Sequence, residues 1–170
     1  MSPASRYPFG VCKLGDDMKK LDQIKRKGPW SSDRIESFVT ETVIPIRLAC
    51  VASTGYPLVT SLWFLWEDDC FWCAVQAHSR VAAHCRRNAR CGFEIAGDQP
   101  PYRGVRGLAD VTIVSEAGER VLRACIARYL GSDQSELAQW LLGRVSTEVA
   151  LRLEPRRIFS WDYSGRMQSA

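Results

Sequence analysis

The sequence is poor in the side chains from which many active sites are built. Its 170 residues include only two histidines, His78 and His84. A histidine-based triad or histidine-rich metal site has little to draw on, so each is read first as a surface or structural side chain. No GxGxxG run, P-loop or paired-carboxylate pattern occurs, which removes the common nucleotide and acid–base fingerprints. No stretch approaches the ~18 uncharged apolar residues of a membrane span. Residues 1–15 lack the apolar core of a secretory leader, so the chain is expected to be cytoplasmic, with no membrane partner. Internal repeats and low-complexity segments are also missing.

What is present suits one globular domain with a short extension. Hydrophobic residues make up 46% and charged residues 25%, enough to bury a sizeable core. A net charge of +4 tolerates a phosphorylated cofactor but is too weak to argue for nucleic acid. The basic residues are not interleaved with exposed aromatics, so no nucleic-acid partner is expected. Seven cysteines, an odd number, are scattered mostly through apolar runs and are expected to be buried thiols. Cys70 and Cys73 have CxxC spacing but fall in a strand-like run, where positions three apart face opposite ways. No second Cys/His pair with finger spacing follows, so no metal site is expected.

Along the chain, residues 1–29 form a polar N-terminal extension with a basic cluster at Lys19, Lys20, Lys25, Arg26 and Lys27. A short helix is possible over 18–24; a mobile or partner-docking arm is the default. Asp33 is positioned to cap a helix over 34–42, ended by Pro45. Strands are expected over 46–53, 58–66 and 70–76, joined by the turns Thr54-Gly55-Tyr56-Pro57 and Glu67-Asp68-Asp69 and reading as an antiparallel meander. A short helix over 80–87, started by Ser79, and a strand over 91–96 follow. The next strand, 105–114, contains Gly107, which marks a bulge or a close approach. A helical stripe over 117–130 stops at Gly131, and a second helix carries Leu137, Trp140 and Leu141. Two strand-like runs, 149–153 and 157–162, are separated by Pro155. The pattern is α+β and mainly β, closer to a barrel with inserted helices than to a βαβ array.

Four segments are able to carry ligand chemistry. Gln76-Ala77-His78-Ser79-Arg80 places a strand end against a helix N-terminus, where unpaired N–H groups attract phosphate and Arg80 adds a charged fork. Its structural alternative is an ordinary cap with a surface arginine. In Val59-Thr60-Ser61-Leu62-Trp63-Phe64, polar residues interrupt an apolar strand beside a tryptophan that can flank a flat ring; the alternative is an edge strand with core aromatics. Tyr102-Arg103-Gly104-Val105-Arg106-Gly107 sets two arginines among glycines, either for an anion or as a solvated basic strand. Pro155-Arg156-Arg157-Ile158-Phe159-Ser160-Trp161-Asp162-Tyr163 is either a cover over a ligand or a last strand packing its aromatics.

Taken in order, these segments resemble the pyridoxamine 5'-phosphate oxidase-like, flavin-binding split-barrel family over about residues 30–163. The carrying stretches are the helix Asp33 to Thr42, Leu48-Ala49-Cys50-Val51-Ala52-Ser53-Thr54-Gly55-Tyr56-Pro57, Thr60-Ser61-Leu62-Trp63-Phe64, Ser79-Arg80 with Arg86-Arg87-Asn88-Ala89-Arg90, Pro101-Tyr102-Arg103-Gly104-Val105-Arg106-Gly107 and Ser160-Trp161-Asp162-Tyr163. The resemblance implies a six-stranded antiparallel split β-barrel over 30–165 with flanking helices, working as a homodimer with FMN at the interface. It implies that Thr60, Ser61, Leu62 and Trp63 line the isoalloxazine, with Val75 and Gln76 along the cofactor. Ser79 and Arg80 would meet the phosphate, and Arg106, Arg157 and Trp161 would reach the same site, from the same chain or from its partner. The implied activity is FMN-dependent oxidoreduction of a small-molecule substrate, with no protein acid or base required. Sister branches imply the alternatives: a reductase using the deazaflavin F420, or a non-enzymatic flavin- or haem-binding protein. Two departures stand out. Val81 occupies a position two after Ser79 where many relatives carry a lysine, and Leu65 is neutral where some relatives are basic.

Overall fold

A computed structural model describes residues 21–167 of the chain. Cys12, Lys19 and Lys20 lie outside the described residues. Eight strands and five helices follow in the order β1 (Lys25–Lys27), α1 (Ser32–Glu41), β2 (Ile46–Val51), β3 (Pro57–Leu62), β4 (Leu65–Glu67), β5 (Cys70–Gln76), α2 (Arg80–Arg87), β6 (Arg90–Ala96), β7 (Arg103–Val114), α3 (Gly118–Leu130), α4 (Glu136–Leu142), β8 (Glu148–Asp162) and α5 (Ser164–Met167). The fold is α+β and mainly β: a curled antiparallel sheet forming a split barrel, flanked by helices.

The sheet order is β3-β2-β6-β7-β8-β5-β4, with β1 added in parallel beside β8. The two ends of that order, β3 and β4, are successive in the chain. The single strand expected over 58–66 is therefore broken at Trp63-Phe64, where the chain leaves β2 as a pairing partner and joins β5. The expected meander is corrected accordingly: β3 pairs only with β2, and β4 only with β5. Phe64 points into the main core and Trp63 toward α3.

Local chemistry explains most boundaries. The N-cap of α1 is Ser31, whose Oγ accepts from the Arg34 amide at 3.2 Å, and Asp33 sits in the first turn instead of capping. The Asp68-Asp69 turn has φ of 52° and 56°, the paired left-handed geometry that matches strand twist in two-residue hairpins and that aspartate tolerates. β8 runs unbroken through Pro155, correcting the two runs expected there. Pro155 pairs with Ala109 beside a register shift, and neither β5 nor β1 pairs with it, so its missing N–H leaves no ladder bond unmade on that side.

The main core fills the barrel with Phe64, Phe71, Ile46, Leu48, Ile95, Leu151, Leu153 and Ile158, each essentially inaccessible. Burying each such side chain contributes roughly 1.5–3 kcal/mol. Cys50, Cys70, Cys73, Cys85, Cys91 and Cys125 are all buried free thiols. Cys70 and Cys73 pack into different clusters on opposite faces of β5, as their spacing requires. Residues 21–29 lie on the barrel: Leu21 and Ile24 join the core, and β1 runs along β8.

Gly107 lies opposite Phe93 and Ile158 in the ladder. A Cβ there would sit 2.2 Å from the Arg157 carbonyl oxygen and 2.6 Å from the Phe93 ring. Gly131 is left-handed at φ 71° but faces open space. Urea unfolding is therefore expected to show Gly107→Ala destabilised by ~2 kcal/mol or more, against ~1 kcal/mol for Gly131→Ala.

Candidate functional site

The break in the β3–β4 segment makes a corner, and the corner opens a cleft of about 240 Å³. Ser61, Leu62 and Trp63 form one wall, Ala74 of β5 the floor, and Leu122 and Cys125 of α3 with Leu137 and Leu141 of α4 the opposite wall. Glu148, the first residue of β8, is the one charged side chain lining it. The walls are apolar because α3 turns its buried stripe, Val121, Leu122, Cys125 and Ile126, toward β5. Burial pushes the Cys125 thiol up to about 12, so it lines the cleft as a neutral group.

Tyr129 fixes the corner. Its hydroxyl accepts from the Phe64 amide and donates to the Ile44 carbonyl, both at 3.3 Å. Its ring stacks on Trp63 at 5.1 Å between centroids and 11° between planes. Burial raises the phenol, which keeps it protonated and able to donate. Arg128, its neighbour, donates to the Val39 and Thr42 carbonyls at 2.9 and 2.5 Å, holding the C-terminal end of α1 against α3.

Glu148 is 8% exposed, and its carboxylate is half satisfied. Gln76 Nε2 donates to Oε1, while Oε2 has no partner. The Thr147 hydroxyl lies within hydrogen-bond reach of both Gln76 Oε1 and the Arg144 carbonyl, and its single proton serves one of them at a time. Burial pushes the Glu148 carboxyl above the ordinary range, and the Gln76 hydrogen bond and the charges of Arg144 and His78 pull it back.

α2 begins three residues beyond Gln76. Ser79 caps it by accepting from the Ala82 amide at 3.3 Å, and the Ser79 amide donates to the Gln76 carbonyl at 2.9 Å, which fixes the helix start against the strand end. Arg80 is exposed at this N-terminus. Val81, by contrast, is buried in the main core. Its side chain faces inward, so this position offers no charge to the corner.

Beyond Ser79 and Arg80 at the start of α2, the sequence-predicted residues divide into three groups. Ser61, Leu62 and Trp63 line the cleft, and Gln76 reaches it through Glu148. Thr60 and Val75 lie on the inner side of the sheet: Thr60 pairs with buried Leu48, and Val75 belongs to the main core. Arg106, Arg157 and Trp161 are on the outer face of β7 and β8, away from the cleft walls. There Arg106 lies 5.5 Å above the Trp161 ring and Arg157 5.9 Å from the Phe159 ring. Arg103 lines a different cleft with Arg34, Phe38 and Pro101. Sequence reasoning missed Glu148, Arg144 and the α3–α4 wall. The available signal was one carboxylate inside Thr147-Glu148-Val149-Ala150-Leu151, a run otherwise fit for burial.

Comparison with solved structures decides the fold family. A conserved hypothetical protein from Mycobacterium tuberculosis is 29% identical, with 79% of this chain and 86% of that one covered and a TM-score of 0.68. An F420 reductase is 19% identical, covering 72% and 94%, with a TM-score of 0.61. A putative pyridoxamine 5'-phosphate oxidase from Listeria innocua is 14% identical, covering 74% and 94%, with a TM-score of 0.56. This chain has the pyridoxamine 5'-phosphate oxidase-like split-barrel fold. No protein-family model and no curated protein matches the sequence. Among the described residues of this split barrel, no helix is long and apolar enough to cross a membrane, and no cluster of three or more metal-ligating side chains occurs.

Tyr129→Phe would leave the Phe64 amide and Ile44 carbonyl without their partner in a part-buried site. We expect a loss of ~1–3 kcal/mol in urea unfolding, together with a changed near-UV dichroism signal as Trp63 loses its fixed orientation.

Proposed function

We propose that the chain binds FMN at this corner and works as an FMN-dependent oxidoreductase on a small-molecule substrate. The observation that carries the reading is the adjacency of an apolar, ring-sized cleft with a serine-capped helix N-terminus bearing Arg80. A flat ring and an anionic tail are the two parts of a flavin nucleotide, and each has a matching surface here. Ser61 and Glu148, the polar residues on an otherwise apolar lining, fit a ring that is apolar on its faces and polar at its rim. A bound flavin would supply the redox chemistry. The chain's own residues would hold the ring between Trp63 and the α3–α4 wall, exclude water, and neutralise the phosphate through Arg80 and the free amides of α2.

One chain builds only part of such a site. The cleft volume of about 240 Å³ is below the ~300–1,000 Å³ of pockets that enclose small molecules. The outer face that carries Arg106, Arg157 and Trp161 also exposes Val59 at 61%, Leu108 at 54% and Val51 at 41%. An uncovered apolar patch on a sheet fits a second copy. We therefore read the working unit as a homodimer in which Arg106, Arg157 and Trp161 reach the partner's cofactor.

A second reading, reduction with the deazaflavin F420, is favoured by the exposed basic strand Lys25–Lys27 beside Arg157, a track for a longer anionic tail. Visible absorption of the purified protein separates the two, because a deazaflavin absorbs at shorter wavelength than a flavin. A protein that holds flavin but turns over with no nicotinamide donor and no acceptor is a carrier and not an enzyme.

Arg80→Ala is expected to weaken FMN binding roughly tenfold or more, the worth of one charge-assisted contact, with thermal unfolding unchanged. A fluorescence titration gives the affinity, and an unaltered value removes Arg80 from the phosphate site.

A further inference from the structure

A second cleft lies away from the β3–β4 corner. Its volume of about 360 Å³ exceeds that of the first and falls within the ~300–1,000 Å³ of pockets that enclose small molecules. α1 lines it with Arg34, Phe38 and Glu41, spaced four and three residues apart and so set along one face of the helix. Arg103 faces them from the start of β7, and Ile44 and Pro101 add apolar lining. No residue lines both clefts.

The charges are sorted along this cleft. The Arg34 guanidinium lies 5.2 Å from the centre of the Trp30 ring. Trp30 Nε1 donates to Asp162 Oδ2 at 3.2 Å, and Arg103 stands opposite Asp162 in the β7–β8 ladder. Both arginines therefore flank the contact between Trp30 and Asp162. Asp162 is already engaged, since its Oδ1 accepts from the Ser164 amide at 2.9 Å and from the Ser164 hydroxyl. Among the described residues, no carboxylate lies within ion-pair distance of Arg34 or Arg103. The opposite charge sits at the other end. Glu41 is seven residues beyond Arg34 on α1, roughly 10 Å along the axis. Phe38 lies between them on the same face, and its ring is held against Trp30 at 5.0 Å.

We propose that this cleft binds aromatic monocarboxylates. The carboxylate lies between Arg34 and Arg103, whose planar forks match its two oxygens. The ring lies against Phe38, Ile44 and Pro101. Glu41 excludes a second anionic group, because a dicarboxylate would bring like charges together at the far end. A bare inorganic anion would satisfy the arginines and leave the apolar lining uncovered. This site is separate from the flavin cleft, and its assignment does not rest on the flavin reading.

The test titrates 2-naphthoate, its neutral analogue 2-naphthylmethanol and 2,6-naphthalenedicarboxylate into the full-length protein by calorimetry at low ionic strength. Wild type is expected to bind 2-naphthoate about tenfold or more tighter than the alcohol, the value of a charge-assisted contact. Arg34→Gln and Arg103→Gln are each expected to shrink that preference. Glu41→Gln is expected to strengthen binding of the dicarboxylate while leaving 2-naphthoate unchanged. Binding of neither 2-naphthoate nor the alcohol, equal affinity for the two, or a preference that survives in both arginine variants overturns the proposal. So does a dicarboxylate that binds wild type as well as 2-naphthoate. Should an arginine variant fail to fold, amide shifts on wild type decide. Shifts induced by 2-naphthoate that centre on residues 34–44 and 97–103 support this site, and shifts that centre on residues 61–63 and 137–141 overturn it.

Discussion

The corner at Trp63-Phe64 is the constraint on which the split barrel depends. The sheet has two free ends, β3 and β4, and they are one continuous piece of chain bent between two residues. At that bend the backbone leaves one ladder before it joins the next, so its polar groups need partners from elsewhere. Tyr129 supplies them from α3, accepting from Phe64 and donating to Ile44. The same ring then stacks on Trp63. A single side chain thereby closes the barrel, anchors α3 to it and sets the cleft's first wall.

The candidate site follows from that closure. Trp63 faces outward at the corner because Phe64 faces inward, and the outward face is where α3 and α4 lay their apolar stripe. Glu148 enters the same space because β8 starts beside the end of β5, with Gln76 and Glu148 paired in the ladder. From Gln76 the chain turns directly into α2. The Trp63 wall, the Glu148 carboxylate and the start of α2 all lie about the end of β5, brought there by ladder register and by the packing of α3 and α4.

Much of this was legible in the sequence, for identifiable reasons. β5, α2 and the Gly131 stop were predicted to within a residue because turn and cap chemistry is local: paired aspartates, a serine before a helical stripe, a glycine after one. The break in 58–66 was not legible, because an apolar run has the same pattern whether its two halves share one neighbour or two. Ser31 displaced Asp33 as cap because either can accept from the first turn, and the register of the helix decides. Pro155 looked like an interruption until the register shift gave it a place. Within the site, Ser61 and Trp63 were readable from composition, while Thr60 and Val75 fell on the inner face by strand alternation. Glu148 escaped notice because an isolated carboxylate beside an apolar run reads as a strand boundary, and its burial depends on two helices far away in sequence.

β8 has a role in the order of assembly. Its partners β1, β5 and β7 do not pair with one another; the β4–β5 hairpin and the β3-β2-β6-β7 half meet only across it. Until residues 148–162 are in place there are two separate half-sheets, each with an open edge facing solvent. Joining them requires contacts such as Phe71 with Leu153, more than eighty positions apart. Such long-range pairing places folding on the slow side for a small domain, roughly milliseconds to seconds. It also makes this one strand the piece whose sequestration by another molecule would stall the chain half-built.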